Sequence, residues 1–288
     1  MRFSYHTHSE FCDGRVTGAA MAMAAHKVGY SYLGFSSHAP LPFGTKWNMS
    51  WPALHGYAQM VRGLAQEWEP QGMRILLGLE IDHIEGLASP SDHAYDAISP
   101  DFRIGSVHYI TKIFGKKFTV DEPAEEFSRH LKAVTPDNTD VVWKEYYAAM
   151  IEMIRKGGFD IIGHFDLVKK NNSGGRWFDE TSRQYVEAAF GAVDEAGKLS
   201  CIAEINTGGL ARGKIATTYP SLAILKRMRE AGVRLTIGDD AHAAAHLGSF
   251  QTLAVEAAKA ADFRSLWYLD GPGSWKEIGI EEVGGSVR

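Results

Sequence analysis

Cysteine is nearly missing from this chain: Cys12 and Cys201 are the only two among 288 residues. They form neither a CxxC pair nor a disulfide framework, which fits a reducing compartment. Positive charge is not in excess. Lys and Arg number 30 against 35 Asp and Glu, a formal net charge of −5, so the basic footprint of a nucleic-acid binder is lacking. No apolar run is long enough to span a bilayer, which speaks against a membrane partner. A cleaved leader is not expected, because candidate ligands already begin at His6. The chain reads as cytoplasmic. Repeats, linkers and low-complexity tracts are also absent, and nothing forces a second domain, so residues 1–288 are expected to form one unit.

What is present is alternation of strand and helix. Strand signals fall at 2–8, 32–38, 74–82, 102–109, 160–166, 199–206 and 234–240. Helical stretches run over 17–28, 52–68, 89–98, 122–133, 139–157, 180–197, 219–232 and 250–261. Thr17 and Asp179 suit helix N-caps, and Gly29, Gly158 and Gly232 suit C-termini. Seven β-then-α units favour an α/β closed parallel barrel. The alternative, an open doubly wound sheet, would want a GxGxxG or GxxxxGK[ST] loop after an early strand, and there is none. Longer connections at 39–51, 110–121 and 169–179 leave strand C-termini, where a barrel carries its active-site loops. The tail from 263, with Leu266-Trp267-Tyr268-Leu269, is expected to pack back on the barrel and to fray at a Gly-Gly-Ser terminus.

The strands share one peculiarity at their ends. His6 and His8 are two apart in the first strand, so both imidazoles project to one side. Asp13 follows in the next loop, His38 ends the second strand, Glu80 and Asp82 the third, and His108 the fourth. His164 and Asp166 end the fifth, Glu204 and Asn206 the sixth, and Asp240 and His242 the seventh. A lone His after apolar residues is usually a hydrogen-bonded core residue, but this recurrence at one relative position argues for a shared metal centre. His26, His55, His93, His130 and His246 fall on predicted helices or their ends and read as surface or packing residues, while His83 is ambiguous. So many ligands exceed the needs of one tetrahedral zinc and point to a multinuclear site. With no cysteine in the set, the ions are Zn, Mn, Fe or Mg-like rather than copper or iron–sulfur.

Taken together, His6-Thr7-His8-Ser9 with Asp13, Ser37-His38, Gly78-Leu79-Glu80, Gly105-Ser106-Val107-His108, Gly163-His164-Phe165-Asp166 and Asp240-Ala241-His242 resemble the successive motifs of the PHP (polymerase and histidinol phosphatase) family. Glu204-Ile205-Asn206-Thr207 and the overall length resemble its histidinol-phosphate phosphatase branch, and the resemblance runs from residue 3 to about 250. It implies a distorted (β/α)7 TIM-like barrel with two to three divalent ions at the C-terminal mouth of the strands. One ion would take His6, His8, Glu80 and Asp240. A second would share Glu80 and take His108 and His164, and a third would take Asp13, His38 and His242. Glu80, Asp240 and His242 carry the catalytic assignment, in the histidine-biosynthetic phosphatase reaction. Asp239 departs from the small residue usual there, and the period of two turns it away from the face shared by Asp240 and His242.

The mechanism implied is attack of a metal-bridging hydroxide on the phosphorus of L-histidinol phosphate. Arg212 is the first choice for the phosphate clamp, because a guanidinium can grip phosphate with two bonds, and Lys169 is second. A metal-bound water or His83 would protonate the leaving group. Asp82, Glu204, Phe11 and Tyr109 are unranked candidates for recognising the amine or imidazole. Two other readings stand beside this one: a family phosphoesterase acting on another small phosphomonoester or a nucleotide phosphodiester, and a non-enzymatic metal-binding module.

Overall fold

The computed structural model describes residues 1–111, 118–135 and 138–284. Part of the 110–121 connection, and Gly285 and Ser286 of the expected frayed terminus, lie outside the described residues. The strands in chain order are β1 Arg2–Ser4, β2 Tyr30–Phe35, β3 Arg74–Asp82, β4 Phe102–Ser106, β5 Tyr109–Ile110, β6 Phe118–Thr119, β7 Ile161–Ile162, β8 Ile202–Asn206, β9 Arg234–Gly238, β10 Ser265–Leu269 and β11 Trp275–Gly279. The helices are α1 Gly18–Lys27, α2 Leu54–Trp68, α3 Ala124–Val134, α4 Asp140–Lys156, α5 Arg183–Lys198, α6 Gly208–Ala211, α7 Leu222–Ala231 and α8 Gln251–Ala260.

Seven strands make one parallel sheet in the order β1-β2-β3-β4-β7-β8-β9. The sheet rolls until its first and last strands meet, and the parallel bridge Thr7–Ala241 links them. His8 N donates to Ala241 O at 2.9 Å and Ala241 N to His6 O at 3.2 Å. The result is a nearly closed α/β barrel with helices outside. β3 explains why it can close. From Ile75 to Asp82 every residue is buried, as a strand covered on both faces must be. α2 buries Leu54, Tyr57, Val61, Leu64 and Trp68, a stripe at helical spacing, against β3. The Tyr57 hydroxyl fixes that docking by donating to Gly78 O at 2.8 Å.

Several expected elements shift. The 89–98 stretch is helical only as a 3₁₀ turn over His93–Ile98. Ser182, not Asp179, caps α5, accepting from Tyr185 N at 3.3 Å, while Asp179 takes Thr181 N at 2.8 Å in a tight turn. Thr17 does cap α1, accepting from Ala20 N at 3.2 Å. Gly157 rather than Gly158 closes α4, and Gly232 closes α7 in the left-handed conformation. The tail forms an antiparallel hairpin, β10–β11, and packs back as expected: Leu269 N donates to the Tyr5 hydroxyl at 2.7 Å. No helix among the described residues is long and apolar enough to cross a membrane.

Candidate metal centre

Because every sheet strand points the same way, the chain segments that follow them converge on one rim. The backbone pairing that closes the barrel also fixes His6 and His8, whose rings lie 5.1 Å apart. Glu80 rises from the middle of the sheet and becomes the hub. Its Oε2 lies 3.1 Å from His6 Nε2, 3.0 Å from His38 Nδ1 and 3.7 Å from His8 Nε2. Its Oε1 lies 2.9 Å from His164 Nε2 and 3.6 Å from His108 Nε2. Ser106 Oγ donates to the same Oε1 at 2.7 Å.

Asp240 follows β9 at a φ of 49°, a left-handed turn that an Asp tolerates better than most residues. Its Oδ1 sits 3.4 Å from His8 Nε2. Asp13 is half exposed and turned toward the imidazoles: Oδ2 is 3.3 Å from His242 Nε2, and Oδ1 is 3.8 Å from His38 Nε2. The nine residues expected as ligands thus gather at one place, in four overlapping groups. These are His8-Asp13-His38-His242, His6-Glu80-His164, His6-His8-Asp240 and His38-Glu80-His108. His38 therefore reaches both the Asp13 side and the Glu80 side.

The donor set fits divalent cations. His6 Nε2, His8 Nε2, His38 Nδ1 and Glu80 Oε2 are buried with no hydrogen-bond partner, close to one another but out of hydrogen-bonding geometry. Leaving such atoms bare costs about 1–3 kcal/mol each, which a coordinated cation would remove. The donors are imidazole nitrogens and carboxylate oxygens, suited to zinc, manganese or iron. Burial, with His242 and His38 alongside, pulls the His8 imidazole down to about 3, so it stays neutral and able to ligate. For Glu80, burial pushes the carboxyl up, but His6, His38 and His108 outweigh it and hold the group well below the usual carboxylate range.

Behind the donors stand carboxylates that orient them. His6 Nδ1 meets Glu204 Oε1 at 2.9 Å, and His108 Nδ1 meets Asp82 Oδ1 at 2.7 Å. Each carboxylate selects the tautomer that presents Nε2 to the centre. Asp82 and Glu204 are therefore engaged in holding imidazoles rather than in reading a substrate. Glu204 in turn accepts from His164 N at 2.9 Å and Asn206 Nδ2 at 2.7 Å. A Cβ at Gly238 would stand 1.8 Å from Glu204 Oε2, so only glycine fits there. Asp239 is turned away from the centre, accepting from the Tyr30 hydroxyl, while its own N–H donates to Ser4 Oγ at 2.9 Å.

Above the centre opens a cleft of about 350 Å³. Arg212 lines it and also grips Asp240, with Nη2 donating to Oδ2 at 2.8 Å and Nη1 to Oδ1 at 3.1 Å. Lys169 does not line the cleft. Its ammonium is buried, donating to Asp166 Oδ2 at 2.8 Å and Thr218 O at 2.9 Å, and a buried charge so paired is not available for phosphate. Lys170 lines the cleft instead, because a 3₁₀ turn over Leu167–Asn171 sends neighbouring side chains to different faces. His83 is also elsewhere, buried with Nε2 3.5 Å from Glu152 Oε1 in a separate small pocket. Phe11 packs on Tyr57, and Tyr109 is buried against Trp47 and Phe43. Sequence reasoning passed over Arg15, Trp47, Asp121, Glu122 and Lys214, all lining the cleft. Their signal was present for Trp47 and Asp121, which belong to the long connections leaving strand ends.

The chain is similar to known proteins in both sequence and fold. The PHP domain profile matches residues 4–208. The "Probable histidinol-phosphatase" of Deinococcus radiodurans is 30% identical over 250 residues, covering 84% of this chain and 87% of that protein. The "Histidinol-phosphatase" of Bacillus subtilis is 26% identical over 259 residues, covering 84% of this chain and 94% of the relative. In three dimensions the chain resembles the histidinol phosphate phosphatase of Lactococcus lactis, crystallised with zinc, L-histidinol and phosphate. The TM-score is 0.66 at 20% identity, over 95% of this chain and 98% of the other.

Proposed function

This chain belongs to the PHP domain family, and from that membership we propose that it hydrolyses L-histidinol phosphate to L-histidinol and inorganic phosphate. The observation that carries the reading is Glu80, one buried carboxylate within 3.7 Å of five imidazoles beneath a cleft bearing arginine and lysine. One ion is assigned to His6, His8, Glu80 and Asp240, a second to Glu80, His108 and His164, and a third to Asp13, His38 and His242. Zinc suits these donors, and it accompanies the Lactococcus lactis protein. When bound, the ions supply a field that acidifies water and neutralises phosphoryl charge.

The protein's own groups do the positioning on which phosphoryl transfer depends. Arg212, which lines the cleft and holds Asp240, would steady that carboxylate and meet the phosphoryl oxygens of a bound substrate. Arg15 and Lys214 add positive charge to the lining. Water oxygen bonds to phosphorus as the ester P–O bond breaks, and the departing alkoxide takes a proton. His83 is too far removed from the cleft to give that proton directly. The reading takes residues 1–288 as one metallohydrolase barrel and places the reaction in the cytoplasm, which the two free thiols support.

A phosphate-release screen tests the assignment. L-histidinol phosphate should be turned over with the highest kcat/KM among small phosphomonoesters, nucleotides and a phosphodiester. A nucleotide or diester hydrolysed more efficiently would overturn it and favour the other branch of the family.

A further inference from the structure

The cleft is electrically two-sided, and the strand order says how. β8, β9 and β1 are neighbours once Thr7 and Ala241 close the barrel. Arg15 follows β1, and Arg212 and Lys214 follow β8, so these cations share one arc of the mouth, where the carboxylates Asp13 and Asp240 are turned to His242 and Arg212. Arg15 N is tied there, donating to His242 O at 2.7 Å. Asp121 and Glu122 belong to the arc of β4 and β7. Val120 N donates to His108 O at 2.9 Å, and Asn171 Nδ2 to Glu122 O at 3.0 Å.

The two acids are not equivalent. Lys170 answers Asp121 directly, its ammonium paired with the carboxylate and donating to the Asp121 carbonyl at 2.9 Å. Glu122 accepts from His130 Nδ1 through Oε2 at 2.7 Å, and a carboxylate has capacity for a further donor. The same cleft also carries an aromatic wall. Trp47 lines the cleft and stacks on Tyr109 at 5.8 Å, and Tyr109 pairs with Thr119 at the base of this arc. A carboxylate and an aromatic face lining one cleft disfavour phosphate there and favour an organic cation.

Resting on the proposed function, we infer that Glu122 reads a positively charged nitrogen on the leaving group, with Trp47 covering its carbon skeleton. The preferred substrates are then zwitterionic phosphomonoesters, phosphate toward the arginine arc and cation toward Glu122.

The test is a specificity ratio in the metal-loaded enzyme, kcat/KM on L-histidinol phosphate divided by kcat/KM on p-nitrophenyl phosphate, which has no amine. Glu122→Gln should lower that ratio about tenfold, chiefly through KM on the amine substrate. A variant ratio equal to that of the unaltered enzyme, or a loss confined to kcat, overturns the inference. If L-histidinol phosphate proves not to be a substrate, the proposed function fails separately. The inference is then read from 2-aminoethyl phosphate against ethyl phosphate: a preference for the amine that Glu122→Gln abolishes upholds it, and no preference overturns it.

Discussion

Glu80 offers one carboxylate to five imidazoles, so its loss should be felt by every ion sharing it. Glu80→Gln is expected to strip the two ions that share it, leaving no more than one per chain, and to cut phosphate release by more than about a hundredfold. Elemental analysis beside an activity assay checks both. Asp13 stands at the edge, half exposed, and among the described residues is turned to the His8, His38 and His242 side. Asp13→Ala should therefore cost one ion and slow turnover while two ions stay bound through Glu80. A full metal complement with a normal rate would reduce Asp13 to a turn residue. Arg212→Ala should lower kcat/KM by more than about tenfold, and Arg212→Lys should restore little, since a point charge cannot hold Asp240 with two parallel bonds. At this scale the candidate ligands were legible in the sequence because all but Asp13 fall at expected strand ends. Lys169 and His83 were not, because a turn's phase and a side chain's burial depend on what packs around them.

The elements that carry the candidate ligands are held by contacts a few residues behind them. β9 shows this most plainly. Gly238→Ala would drive a methyl group into Glu204, which orients His6, so the variant should fold but load metal poorly. Metal titration followed by intrinsic fluorescence or calorimetry reads the loss. The next residue, Asp239, is buried, and that burial raises its carboxyl to about 6, against an ordinary 3.8. A carboxyl whose folded pKa lies above its unfolded value favours the protonated native state. Its contribution is present at low pH and is lost as pH rises from about 4 to about 6. Asp239→Asn should flatten the fall in stability over that window, and denaturation midpoints of both proteins across it would show the difference. An unchanged slope would mean the group is not protonated in the native state. All seven sheet strands lie where hydrophobic runs placed them. Apart from β3, which pairs over the whole of 74–82, their paired lengths are shorter than those runs, β7 being only Ile161–Ile162. The β5–β6 hairpin was hidden within a stretch read as strand and loop.

As a whole, the molecule is a sheet that closes at the very residues expected to bind metal. His6, Thr7 and His8 lie where β1 runs on to meet Ala241, so the candidate metal site and barrel closure share one seam. Chelation should lower the melting temperature and reloading should restore it, since ions that bind only the folded state stabilise it by about 2.7 kcal/mol at a hundred times Kd. The barrel could be read from sequence because seven strand–helix units leave few alternatives. The roll of the cleft into a cationic and an acidic arc could not, since it depends on which strands become neighbours. The central claim is a multinuclear phosphomonoesterase built on Glu80. Its most direct test is to add back zinc or manganese stepwise to metal-free protein, measuring bound metal per chain and phosphate release from L-histidinol phosphate at each step. The account predicts that activity rises only as more than one ion per chain is bound; full activity at one ion, or at none, would contradict it.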